Sequence, residues 1–320
     1  MQRIDGYQLG PAGDPSAAPP PLKGATAALG NLDGVHRGHQ ALIAAARAAR
    51  PGAPLAAITF EPHPRRLFQP DAPPFRLTDD AERERLLALA GVERLAVLPF
   101  DRALAGMSPG RFAREVLAEG LGVAHLTIGA DFRFGRGRAG DAAMLKQLGQ
   151  TLGFAVSVLP LVGDETGDYS STAARGAIRK GAMDEAAAIL GRPHAVTGQV
   201  VLGDQRGRTL GYPTANLAFG EQLVPAYGVY AARVQVLEGP HKGRHDGVAS
   251  IGERPTFGVN APNFEVHLFD FTGDLYGTPI VAELVAFLRP EVAYEGPEAL
   301  IRQMDRDSAE ARAILRAKAG

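Results

Sequence analysis

Cysteine is absent from this 320-residue chain. That excludes disulfides, thiolate metal sites and a cysteine nucleophile, and it fits a reducing compartment, so a cytoplasmic setting is expected. An excess of charge of one sign is also missing: 34 basic and 35 acidic residues leave a formal net charge of -1. No global field draws in nucleic acid or an anionic membrane, so neither is expected as a partner and any phosphate affinity must be local. No apolar run approaches the length of a membrane span. The first twenty residues carry Asp5, Asp14 and Pro15 without a useful apolar stretch, so no signal peptide is expected either. Residues 11–21, rich in Ala and Pro, read as a loose lead-in. What the chain has is apolar content, 45% of its residues, enough for real cores; its length favours two domains over one.

Two periodicities divide it. From Thr26 to about Leu190, short apolar runs (55–60, 95–98, 125–129, 154–159) alternate with helical patterns (39–50, 79–90, 109–119, 141–152). Ser108 before Pro109 reads as a helix cap followed by a first-turn proline. Strand–helix alternation predicts a parallel sheet covered on both faces, with ligands bound beyond the carboxyl ends of its strands. After a short helix at 184–190, Gly191, Arg192 and Pro193 break the pattern, and period-2 segments follow at 195–202, 228–236, 247–251, 263–269 and 281–287. These predict a small antiparallel β-barrel, with a charged helix over 297–318 packed on its outside. The expected fold is thus α/β: a Rossmann-like domain over 1–186, then a β-barrel domain with a C-terminal helix over 187–320.

Chemistry concentrates at Gly30-Asn31-Leu32-Asp33-Gly34-Val35-His36-Arg37-Gly38-His39, where the first strand gives way to an amphipathic helix. Free N–H groups and the positive dipole end face outward there, and glycines let a ligand approach the chain. His36 and His39 match the HxGH signature of nucleotidyl transfer, in which donors neutralise charge growing on an α-phosphate. Gly30, Asn31, Asp33 and Gly34 would line the ATP. Two polar residues in a Gly-rich turn, or a zinc-binding pair lacking a nearby third ligand, are the rival readings. Hydroxyls in Ser170-Ser171-Thr172 either cap the helix that follows or, with Arg175, hold a triphosphate. The loop Thr59-Phe60-Glu61-Pro62-His63-Pro64 reads as stiff and lies at the binding edge. Residues 129–140 contain a formal GxGxxG at Gly135, Gly137 and Gly140, but polar residues separate it from the preceding strand and Asp164 lies too late to serve as the acidic partner. Phe132 and Phe134 instead offer faces on which a flat ring could stack.

In the second half, Pro213-Thr214-Ala215-Asn216 supplies a hydroxyl and an amide oxygen suited to Mg²⁺ with ATP phosphates, although a plain turn explains them nearly as well. Glu265 shares a strand face with His267, opposite Phe264, Val266 and Leu268. It could act as a general base or be a solvated strand residue.

Taken together, GNLDGVHRGH, TFEPHPRRLF, GADFRFGRGRAGD and SSTAAR in the first half, then GRTLGYPTAN, PAYGVY, GVASIGERPTFG, FEVHLFDFTGDLYG and FLRPE, make the chain resemble the bacterial bifunctional riboflavin kinase/FAD synthetases. The resemblance extends from about Ala25 over nearly the whole chain. It implies that the first domain adenylylates FMN with ATP to give FAD and pyrophosphate. His36 and His39 would stabilise the transition state, Ser171, Thr172 and Arg175 would hold phosphates, and Phe60, Asp131 and Phe132 would meet the flavin. Leu32, where phenylalanine is usual, and Ala174, where a larger aliphatic is common, depart from the pattern without removing a reacting group. The second domain would phosphorylate riboflavin, with Glu265 as base, Thr214 and Asn216 as Mg²⁺ ligands, and a flap bearing Gly203, Arg206, Gly207 and Arg208 over the nucleotide. Arg289 would stand on the flavin side. Riboflavin, FMN, FAD and ATP are the implied partners, and a weak homo-oligomer is left open. The alternative is a single-activity nucleotidyltransferase for another mononucleotide with a ligand-binding barrel. Intact His36, His39, Thr214, Asn216 and Glu265 count against a non-catalytic flavin binder.

Overall fold

A computed structural model of the chain describes residues 1–7, 20–165, 167–203, 211–253 and 262–318; Arg206, Gly207 and Arg208 lie outside them. Two compact units result, one of residues 1–73 and 80–169, the other of residues 74–79 and 170–320.

The first unit is built on six parallel strands, β1 (Gln2–Asp5), β2 (Thr26–Leu29), β3 (Leu55–Glu61), β4 (Arg94–Pro99), β5 (His125–Gly129) and β6 (Ala155–Leu159), in the order β1-β4-β3-β2-β5-β6. β2 to β5 are almost wholly buried, which fits their near-continuous apolar sequences and the helices on both faces. On one face α1 (Arg37–Ala49) lays Leu42, Ile43 and Ala46 against Leu55 and Val97, with Leu86 and Leu87 of α3 (Asp80–Leu89) beside them; α2 (Pro64–Phe68) is a single short turn. On the other, Phe112, Val116 and Leu117 meet Ile58, Leu98 and Leu126. After α4 (Arg102–Ala105), α5 (Pro109–Arg111) opens as expected, with the Ser108 hydroxyl accepting from the Arg111 N–H at 3.3 Å; the chain then winds as a π-helix over Phe112–Leu121, where an ordinary α-helix was expected. Asp141 caps α6 (Ala142–Leu152). From β2 the chain steps outward to β3 and β4, then returns to β5 on the other side of β2. That reversal puts the ligand crevice of such a sheet at the carboxyl end of β2. β1 was not expected; its four residues, QRID, carry no apolar pattern. A two-stranded ribbon, β7 (Gly163–Asp164) with β8 (Gly167–Asp168), ends the unit.

In the second unit, α7 (Ser171–Arg179) and α8 (Met183–Leu190) precede six antiparallel strands: β9 (His194–Gln199), β10 (Ala215–Leu217), β11 (Gly228–Val236), β12 (Gly243–Glu253), β13 (Pro262–Leu268) and β14 (Pro279–Arg289). Their order is β10-β13-β12-β11-β14-β9, and the two edges meet where the Val201 N–H donates to the Asn216 carbonyl at 2.8 Å, curling the sheet into a small barrel. Phe264, Val266 and Leu268 point into it, as their alternation predicts. α9 (Pro297–Ala317) covers the outside through Ala311 and Leu315 on Ala231, Phe269 and Val285, and Arg312 pins it with two bonds to Asp270 at 2.7 and 2.9 Å. Packing therefore groups α7 and α8 with the barrel, whereas the boundary expected from the sequence, between 186 and 187, falls inside α8. It also groups residues 74–79 there: the Phe75 and Arg76 N–H groups donate to the Glu221 carbonyl, and Leu223 donates to that of Arg76.

One buried polar chain crosses the first sheet. The Thr26 hydroxyl donates its single hydrogen to the Ala46 carbonyl at 2.8 Å, so the His125 Nδ1, 3.0 Å away, must donate to Thr26, and Nε2 accepts from Ser157 Oγ at 2.9 Å. Burial, with the charge of Arg50 added, pushes the His125 pKa below its ordinary 6.5. The unfolded chain therefore binds this proton more readily. Stability from neutral His125 is complete above about pH 6.5 and is lost as pH falls toward the lower folded value. We expect the thermal midpoint of the first unit to fall between pH 7 and pH 5, and the His125→Gln variant to fall less over that range.

Candidate functional site

The first candidate site is the turn at the carboxyl end of β2. Leu32 (φ 52°), Gly34 (φ 83°) and Val35 (φ 39°) all take left-handed backbone, which costs a non-glycine residue about 1–3 kcal/mol. Surroundings hold it in place: Leu32 and Val35 are buried on α1, the Thr59 hydroxyl donates to the Asn31 carbonyl at 2.9 Å, and the Gln40 side-chain amide donates to the Val35 carbonyl at 2.9 Å. Asp33 is 1% exposed within it. His36 caps α1, its Nδ1 accepting from the His39 N–H at 3.4 Å, which leaves the hydrogen of a neutral ring on Nε2. The two imidazoles stack with centroids 3.6 Å apart and planes inclined by 26°. Gly38 makes that geometry fit, since a Cβ there would lie 2.8 Å from the Tyr169 carbonyl and 3.1 Å from the His36 ring. Arg37 lies over the Tyr169 ring, 5.7 Å from its centroid. The turn thus gathers Gly30, Asn31, Asp33, Gly34, His36 and His39 at one helix start.

Its neighbours are less open than the sequence suggested. Phe60 is buried at the end of β3, edge-on to Phe100 at 5.6 Å. Glu61 bonds Arg83, a guanidinium only 1% exposed that also meets Asp80 at 2.9 Å. His63 caps α2 by accepting from the Arg65 N–H at 3.1 Å. The stretch read as a stiff loop is thus a strand end, an ion pair and a helix start. Asp131 is exposed after β5, and its Oδ1 lies 2.8 Å from where a Cβ on Gly129 would be. Phe132 is half-buried and stacks on Phe134 at 5.8 Å. Phe134 itself corrects an expectation: it is 6% exposed, and a Cβ on Gly140 would sit 2.6 Å from its ring, so it is core and offers no face to a ligand. The formal GxGxxG owes its glycines to that packing and to turns at Gly135 and Gly137 (φ 72° and 64°), and it opens no helix after a strand.

Ser171, Thr172 and Arg175 stand on α7, in the second unit. Ser170 is the cap, accepting from the Ala173 N–H at 3.1 Å, and this leaves Ser171 and Thr172 in the first turn. The Arg175 Nε donates to the Phe75 carbonyl at 2.8 Å with the guanidinium over that ring.

The second candidate site lies on the barrel. Asn216 faces Glu265 directly across the β10–β13 ladder, and the Thr214 hydroxyl donates to Glu265 Oε2 at 3.3 Å. Asn263, which the sequence reading passed over, donates to Oε1 at 2.8 Å; its place two residues before Glu265 on the same strand face was the available signal. Gly203 packs on the Asn216 amide so closely that a Cβ would lie 2.3 Å from its nitrogen. Beside this cluster a cavity of ≈ 380 Å³ is lined by Val200, Pro213, Thr214, Val266 and Leu268, with residues 271–276 forming its far wall. Thr214 belongs to both. Hydroxyl, amide and carboxylate oxygens form a hard donor set that fits Mg²⁺. Among the described residues no group of three His, Cys, Asp or Glu could hold a metal. Arg289, expected on the flavin side, is engaged elsewhere: Nε and a terminal nitrogen grip Asp307 of α9 at 2.7–3.1 Å, which raises its pKa.

Residues 19–173 match the family model for FAD synthetase and residues 190–315 the one for riboflavin kinase. The chain is 39% identical over 298 residues to the bifunctional riboflavin kinase/FMN adenylyltransferase of Pseudomonas fluorescens, covering 92% of this chain and 94% of the relative. The protein of that name in Escherichia coli K12 is 39% identical over 295 residues (91% and 93%), and that in Bacillus subtilis 35% over 292 (89% and 90%). A crystal structure from Streptococcus pneumoniae described as a macrolide-efflux protein superposes with a TM-score of 0.83 at 32% identity, over 98% of this chain and 99% of that one. Among the described residues no helix is long and apolar enough to cross a membrane.

The Gly38 contacts make a prediction. Gly38→Ala forces either the Tyr169 carbonyl or the His36 ring to move, and misplacement by an ångström costs on the order of a hundredfold in rate. Nucleotidyl transfer at the first site should fall by about that factor while phosphoryl transfer at the second is unchanged, as steady-state assays of each would read.

Proposed function

Because the chain belongs to the family of bifunctional riboflavin kinase/FMN adenylyltransferases, we propose that it phosphorylates riboflavin with ATP on the barrel and adenylylates the resulting FMN with a second ATP at the histidine turn. The stacked imidazoles at the start of α1 carry the second half of this reading. An oxygen of the FMN phosphate attacks the α-phosphorus of ATP, the bond to the β-phosphate bridging oxygen breaks, and pyrophosphate leaves. His36 Nε2–H and His39 donate to the charge that grows on the α-phosphate, each such donor contributing about 3 kcal/mol. Gly30, Asn31, Asp33 and Gly34 line the nucleotide, and Asp131 and Phe132 meet the flavin with Phe60 behind them. Residues 1–186 carry this activity and residues 187–320 the other.

On the barrel, Glu265 accepts the proton of the terminal ribityl hydroxyl as its oxygen attacks the γ-phosphorus, and ADP leaves. Bonds from Asn263 and Thr214 aim the carboxylate. Thr214 and Asn216 would hold Mg²⁺, which would neutralise phosphate charge there. The cavity beside Thr214 suits the nucleotide, and Gly203 packs on the Asn216 amide next to it. Arg289 acts through Asp307 by fixing α9, and any contact with flavin is secondary. Lack of cysteine supports a cytoplasmic setting.

Incubation with riboflavin, ATP and Mg²⁺, followed by separation of the flavins, should show FMN first and FAD later; unchanged riboflavin would overturn the reading. Glu265→Ala should stop FMN formation yet leave FAD formation from supplied FMN. Conversely, His36→Ala should slow FAD formation by about a hundredfold while FMN accumulates.

A further inference from the structure

Thr214 has to present its hydroxyl to Glu265, yet no ladder holds the chain at that point. The β10–β13 register runs Leu217–Phe264, Asn216–Glu265, Ala215–Val266 and stops there. One step further would set Thr214 opposite His267, but Pro213 precedes it and has no N–H to bond across. The His267 Nδ1 lies 2.8 Å from the Pro213 carbonyl instead. A carbonyl only accepts, so Nδ1 carries the hydrogen. The ring is fixed in turn: Tyr212 packs on it with centroids 4.9 Å apart, Phe269 meets it edge-on at 6.1 Å, and the Tyr212 hydroxyl donates to Asp305 of α9. β13 therefore projects Asn263, Glu265 and His267 from one face. Asn263 bonds the carboxylate, and His267 bonds the segment that carries the carboxylate's other partner.

We propose that His267 is a positioning residue for phosphoryl transfer, its Nδ1–H holding the Pro213 carbonyl so that the Thr214 hydroxyl meets Glu265 and the phosphates. The inference rests on the reading of the barrel as the riboflavin-phosphorylating site. It is a claim about one atom of the ring, which makes it separable from bulk packing. The side-chain nitrogen of asparagine occupies the place of Nδ1, and that of glutamine the place of Nε2.

The test is FMN formation by the full-length enzyme with FAD formation from supplied FMN as internal control. His267→Gln and His267→Ala should lose about tenfold or more in kcat, with KM for riboflavin within about twofold of wild type. His267→Asn should recover most of that loss, and all three should make FAD from FMN at the wild-type rate. Equal rates for the Asn and Gln variants, or an undiminished Ala variant, would overturn the proposal. So would loss of the second unit's melting transition in the Gln variant, since His267 would then be merely structural. A wild-type enzyme that makes no FMN at all would instead sink the underlying functional reading.

Discussion

The hydrogen bond from the His39 amide to the His36 ring decides how the first site can be built. It ends one strand–turn and starts one helix, so it fixes where the free amides of α1 begin. It also uses Nδ1 of His36 as an acceptor, which places the hydrogen of the neutral ring on Nε2. Stacking of the second imidazole on the first then requires the chain between them to pass close by, and only a glycine at position 38 leaves room for the Tyr169 carbonyl as well. The left-handed Leu32 and Val35 are a further consequence. A turn that must bring a helix start back over the sheet edge is held in strained backbone by packing and by the bonds from Thr59 and Gln40.

The barrel solves a similar problem with a sheet in place of a helix. Its candidate side chains Asn216, Glu265 and His267 lie on the face of β10 and β13 opposite Phe264 and Val266, with Asn216 buried there. That outward face is not bare. Farther along the sheet α9 covers it, and the ion pairs Arg289–Asp307 and Arg312–Asp270 fix the helix to the ends of β14 and β13.

Much of this could be read in the sequence, and the misses share one cause. Parallel strands announce themselves as short apolar runs, and β13 as strict alternation, because both patterns are local. HxGH is local too, so its helix start was legible. β10 was not: three residues beside a proline carry no pattern, and only pairing with β13 makes them a strand. Phe134 looked like a platform for a ring because nothing nearby in sequence shows Phe112 packed on it or Gly140 beneath it. The ion pair of Arg289 was not legible either, because its partner Asp307 stands 18 residues away on another element. The grouping of residues 74–79 with the barrel depends on Glu221 and Leu223, more than a hundred residues distant.

The two sites differ in kind because their nucleophiles do. A phosphate monoester is already anionic at neutral pH and needs no base; the obstacle is repulsion between it and the ATP it attacks. A site for that step has to offer donors, and imidazole N–H groups with main-chain amides at a helix start are donors that need no reorganisation. An alcohol is the opposite case. Its oxygen attacks well only as its proton leaves, so a carboxylate must stand next to it, and that same carboxylate repels the γ-phosphate. As the proposed base, Glu265 has its two oxygens engaged by Asn263 and Thr214, and the hard donors of Thr214 and Asn216 suit a cation that would offset the repulsion. One step thus calls for donors alone and the other for a carboxylate with a cation beside it, which is a reason for one chain to carry two separately built centres.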